Sequence, residues 1–104
     1  MIPGLETRLA ALALAGETIT YGALARDLAL TGHGTIAQLT TALETLMEQD
    51  VAAGKALRAA LLTARGSRLP AAGFFQKAAG LGFTIANPEA FIAEQRKALR
   101  IAGS

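Results

Sequence analysis

The sequence predicts a mainly helical α+β domain, and three observations support this. Alanine supplies 24 of the 104 residues, and alanine is the strongest helix former. Apolar residues recur three and four apart in several separate stretches, which is the period of a helix rather than a strand. Only "TIT" (18–20) and "LRAALLTA" (57–64) read as strand, and both are short. The length fits a single domain spanning 1–104 with one modest core. The hydrophobic share of 52% overstates that core, because alanine buries little area and leucine must supply most of it.

Taken in order, "GLETRLAALALAG" is expected to form a first helix. Leu5, Leu9, Leu12 and Leu14 make its apolar face and Gly16 stops it. "TIT" follows as an edge or minor strand, and Tyr21 to about Leu30 as a second helix with Leu24 and Leu28 on one side. "TGHG" breaks the chain. The next stretch, "TIAQLTTALETLMEQDVAAG", has the clearest helical period. Thr35 and Gln38 are spaced as a capping box, Ile36, Leu39, Leu43, Leu46 and Met47 form an apolar stripe, and Gly54 ends the helix. Leu57 to Ala64 reads as a buried strand, since the apolar run is short and stops at the turn "RGS". "AAGFFQKAAGLGF" is a short helix that docks Phe74 or Phe75. "NPEAFIAEQRKALR" opens on Asn87 as cap with Pro88 at the first helical position. Phe91, Ile92, Gln95 and Leu99 face one way, and Arg96, Lys97 and Arg100 decorate the last turns.

The first six elements run helix, strand, helix, helix, strand, turn. That order predicts a winged helix-turn-helix-like core followed by two C-terminal helices, with "ARGSR" at the wing tip. The segment "GETITYGALA" resembles the start of the DNA-binding half of alkylguanine-DNA alkyltransferases and their catalytically dead relatives. The resemblance implies that Tyr21 matches a tyrosine lying against a DNA phosphate. Where that family carries an arginine that replaces the flipped base, "GTIAQL" places Ala37, and the reactive proline-cysteine-histidine-arginine motif is absent. The resemblance therefore implies the scaffold and not the activity. Residues 18–80, from "YGALA" to "LRAALLTARGSRLPAAGFF", also resemble small uncharacterised bacterial winged-helix-like proteins, which imply no particular activity.

Chemistry is mostly excluded. Without cysteine there is no disulfide, thiolate site or cysteine nucleophile, which fits a cytoplasmic location. The opening alanine-leucine run is preceded by Glu6, has Arg8 as its one early cation, and reads as a surface helix rather than a targeting segment. No apolar run is long enough for a membrane span. His33, the one histidine, has no second histidine or cysteine to share a metal with and reads as an exposed turn residue. Glu44, Glu48 and Asp50 read as a solvated acidic helix face. No glycine-rich phosphate loop is present, so no cofactor, metal or catalytic residue is expected, nor an enzyme.

Charge is more informative. Residues 1–50 carry a net −4 and residues 51–104 a net +6. The basic half can meet an acidic partner, or the two halves can attract each other. Arg58, Arg65 and Arg68, with Lys55, cluster around the expected wing, where basic side chains meet phosphates. Gln38 and Thr41 are placed to contact base edges or phosphates near the start of the long helix. The acids further along that helix, with no basic residue to offset them, argue against deep insertion in a groove. The expectation is a non-enzymatic nucleic-acid-binding or regulatory protein holding double-stranded DNA through Tyr21, Thr35, Gln38, Arg58, Arg65 and Arg68. The alternative is a protein-interaction module, either a homodimer or an accessory subunit of a bacterial or phage system, without nucleic-acid contact.

Overall fold

The computed structural model describes residues 2–103. Five α-helices occur there: α1 (Leu5–Ala15), α2 (Tyr21–Asp27), α3 (Thr35–Ala52), α4 (Ala72–Gly80) and α5 (Pro88–Gly103). Strands β1 (Ile19–Thr20) and β2 (Leu62–Thr63) form a small parallel pair, Ile19 opposite Leu62 and Thr20 opposite Thr63. The fold is thus a mainly helical α+β one. No described helix is long and apolar enough to cross a membrane.

The helices end by one device used four times. After α1, α3 and α4 the chain turns left-handed at Gly16, Gly54 and Gly82. The next N–H reaches back to the carbonyl five residues earlier: Glu17 to Leu12, Lys55 to Asp50 and Phe83 to Ala78. These are Schellman turns, and glycine suits them because a Cβ is strained at positive φ. α2 ends the same way, with the Leu30 N–H on the Ala25 carbonyl, but its left-handed residue is Ala29, at φ 58°. This turn stops α2 at Asp27, three residues short of the expected Leu30.

Helix starts follow the sequence less evenly. Thr20 caps α2, its Oγ1 accepting from the Ala23 N–H at 3.2 Å, and Asn87 caps α5, accepting from the Ala90 N–H at 3.1 Å. The Thr35–Gln38 capping box does not form. Gly34 takes the cap position in a left-handed conformation, and its carbonyl accepts the Gln38 N–H at 2.9 Å. Thr35 is therefore already helical, where its hydroxyl cannot reach forward to the first free donors.

Residues 57–64 are not one strand. The Leu57 N–H donates to Gln95 Oε1 at 2.8 Å and the Arg58 N–H to Asp50 Oδ2 at 3.0 Å. With both donors taken by side chains, the segment winds into a 3-10 turn, Arg58–Leu61, and only Leu62 and Thr63 pair with β1. Two apolar expectations also change. Leu14 is 59% exposed and Ile36 46% exposed, because α1 and α3 bury narrower stripes: Leu5, Leu9 and Leu12 on one, Leu39, Leu43, Leu46 and Met47 on the other.

A single core joins all of these elements. α5 is integral to it, since α1 and α5 form the most extensive pairing between elements and α5 also covers the 3-10 turn. Ile92 and Leu99 are buried there, each stabilising by about 1.5–3 kcal/mol. Phe74 packs edge-on to Phe75 with ring centres 5.2 Å apart, and Phe83 packs on Phe91 at 5.2 Å. Phe74 also lies 6.4 Å from Phe91, linking α4 to α5.

Candidate nucleic-acid interface

Parallel strands send whatever follows them toward the same end. β1 runs directly into α2, so Tyr21 starts that helix where β2 leads into the turn 64–69. That turn is closed by the Ala64 N–H on the Leu69 carbonyl at 2.8 Å, and the Ser67 N–H on the Ala64 carbonyl at 2.9 Å. Ser67 Oγ accepts from the Leu69 N–H. No strand follows it among the described residues, and α4 begins at Ala72. Arg65 and Arg68 are exposed on this turn, and neither forms an ion pair among the described residues.

Tyr21 fastens this end together. Its Oη accepts from the Ala71 N–H at 3.1 Å, tying the start of α2 to the chain just past the turn. Burial raises the Tyr21 hydroxyl above its ordinary value, only partly offset by the Ala71 N–H. The group therefore stays protonated at neutral pH and keeps its own O–H to donate.

Thr35 is half-buried and Gln38 exposed in the first turn of α3. Gln38 lines a groove of about 510 Å³ with Thr41, Ala42 and Thr45, closed on the other side by Ile2, Pro3 and Leu30. The Thr41 and Thr45 hydroxyls donate to carbonyls four residues back, at 3.0 and 3.1 Å. The acids of α3 form the expected solvated face only in part, since Glu48 is exposed, Glu44 half-buried and Asp50 buried. Asp50 is 2% exposed and held by Arg58, and Glu48 is paired with Lys77. Only Glu44 lacks an ion pair among the described residues, and it is half-buried.

Arg58 stands apart from Arg65 and Arg68. It lies before β2 rather than after it, with its Nε 3.0 Å from Asp50 Oδ1, Nη2 2.9 Å from the same oxygen and Nη1 2.8 Å from Glu6. Burial pulls the guanidinium down, but hydrogen bonds to Asp50 and Glu6 outweigh that and hold it above the usual arginine value. Arg58 thus spends its donors inside the fold. Its pairs with Glu6 and Asp50, and that of Lys77 with Glu48, join the acidic first half to the basic second half.

The structure thus gathers Tyr21, Arg65 and Arg68 at one end, sets Thr35 and Gln38 on α3, and takes Arg58 away from both. Lys55 is exposed just past the Gly54 turn that ends α3. His33 is exposed in the α2–α3 connection. Sequence reasoning missed Arg96, which is half-buried and donates from Nε to the Ala60 carbonyl at 2.8 Å. Its one sequence cue is its place beside Gln95 and Leu99 on the inward edge of α5. Comparison of the chain with protein-family models, curated proteins and solved structures finds no match.

Proposed function

We propose that this is a non-enzymatic nucleic-acid-binding protein of winged-helix type that holds double-stranded DNA by its phosphates. The observation that carries the reading is the parallel β1–β2 pair, which sets the start of α2 beside the exposed Arg65–Arg68 turn. In this reading the turn is the wing, Arg65 and Arg68 contact phosphates, and the Tyr21 O–H donates to a third. Gln38 reaches the duplex from the first turn of α3. The pairing of Asp50 and Glu48 with Arg58 and Lys77 supports it further, because it removes most of the acid that would repel a backbone. Arg58 has an internal role and is not a phosphate contact.

Fluorescence anisotropy with a random-sequence duplex over a salt series tests this. Each phosphate contact contributes about 0.9 to the slope of log affinity against log salt, so Arg65→Ala with Arg68→Ala should flatten it by about 2. A chain that fails to bind duplex even at low salt would remove the proposal. A second reading, a homodimeric interaction module, is favoured by Leu14, which is 59% exposed. Leu14 borders a groove of about 1120 Å³ between α1, the end of α3 and α5, with Ala10, Ala11, Ala98 and Ala102 in its walls. Light scattering separates the readings. A dimer mass that Leu14→Asp returns to a monomer supports the second, and a monomer at every concentration rejects it.

A further inference from the structure

Four cations among the described residues are half-buried: Arg8, Arg58, Lys77 and Arg96. Three have a carboxylate, since Arg8 pairs with Asp27, Arg58 with Asp50 and Glu6, and Lys77 with Glu48. Arg96 has none. Its single hydrogen bond is to the neutral Ala60 carbonyl, and its Nη2 is out of water with no acceptor at all. A cation withdrawn from water without a counter-charge is costly, and so is an unmade hydrogen bond on it. Burial accordingly lowers the Arg96 guanidinium below the usual arginine value, the opposite direction from Arg58.

What surrounds Arg96 supplies more positive charge. It lines a cleft of about 230 Å³ together with Lys97 and Arg100, one and four residues further along α5. The facing wall is the end of α1 and the chain leaving it: Ala13, Gly16, Glu17 and Thr18. Gly16 lies directly against Arg100, since a Cβ there would make van der Waals contact with its Nε at 3.5 Å, and its φ of +70° suits glycine. Glu17 is the one acid in the lining, against three cations, and it forms no ion pair among the described residues. The Thr18 hydroxyl adds a neutral donor.

We infer that this cleft between the end of α1 and α5 is a phosphate-binding site, in which a phosphate group supplies the counter-charge that Arg96 lacks. The cleft has room for a tetrahedral oxyanion, and Arg96, Arg100 and Lys97 offer guanidinium and ammonium donors of the kind that recognise one. The site lies where the chain leads into β1, whereas Tyr21 and the Arg65–Arg68 turn follow the strands, so it does not rest on the proposed duplex contact. The phosphate is either free or part of a nucleic-acid backbone.

Titration with inorganic phosphate at constant ionic strength, with chloride as the control, followed by ¹H–¹⁵N NMR, tests the site. The Gly16, Glu17 and Thr18 amides and the Arg96 Nε–H should shift together and saturate. Lys97→Ala with Arg100→Ala, both exposed positions, should weaken phosphate about tenfold or more. Arg65→Ala with Arg68→Ala should leave it unchanged. Shifts that chloride reproduces, that never saturate, or that survive the Lys97/Arg100 double substitution at full affinity would overturn the assignment. A short duplex is then added to the same sample. If it moves the same four resonances, the phosphate belongs to a backbone; if only inorganic phosphate moves them, the site takes a free phosphate.

Discussion

Burial raises the Tyr21 hydroxyl above 10.0, its ordinary value, while the Ala71 N–H pulls it partway back. The sign of the consequence follows from proton counting. Between the unfolded and folded values the native state binds more protons, so stability is intact below about pH 10 and falls as pH rises through the folded value. Tyr21 is the one tyrosine and there is no tryptophan, so an ultraviolet titration reads this group alone. Its midpoint in native buffer should lie above that in denaturant, and Tyr21→Phe should remove that part of the alkaline loss. Coincident midpoints would mean that the ring is solvated rather than buried. At the same scale, charge in the sequence identifies Arg58 and Asp50 as ionic but not as partners. They meet only because the Schellman turn at Gly54 folds the chain back from the end of α3.

At the scale of elements, Ala29 is the described non-glycine residue with positive φ, and it closes α2 where the other three turns use glycine. A left-handed conformation costs an L-residue about 1–2 kcal/mol. Ala29→Gly should therefore raise the unfolding free energy by up to about 1 kcal/mol, after glycine's greater freedom in the unfolded chain is set against the relief. Thermal or urea unfolding reads it, and a lower midpoint would show that this turn is not strained. The ends of α1 and α3 and the start of α5 are legible in the sequence because each depends on local residues: Gly16, Gly54, and Asn87 with Pro88. The 3-10 turn at 58–61 is not legible, because it depends on Asp50 and Gln95, which are eight and thirty-eight residues away from the donors they satisfy. The same limit applies to the arginines of the proposed interface. The exposure of Arg65 and Arg68 follows from a local turn and is readable, whereas the removal of Arg58 and the isolation of Arg96 are tertiary facts.

For the whole molecule, the pairing of α1 with α5 means that the last helix is not an appendage to a smaller core. Ending the chain after Ala86 removes the buried Ile92 and Leu99 together with the helix that packs most extensively on α1. Each large buried side chain is worth about 1.5–3 kcal/mol, against a typical total stability of about 5–15 kcal/mol. The shortened chain should lose its cooperative thermal transition by circular dichroism. Retention of a transition at the parent midpoint would show that residues 2–86 hold the fold by themselves.

That pairing also sets a schedule during synthesis. α1 leaves the ribosome well before the partner that covers it, and roughly 70 residues separate them, which at ribosomal speeds of 5–20 residues per second is a wait of roughly 4–14 s. Through that interval the leucines of α1 have no α5 to rest on, and the 3-10 turn that α5 secures through Gln95 is unsupported. The nascent chain thus carries the apolar face of α1 without its most extensive partner through that interval, and the α1–α5 pairing forms only once α5 has followed.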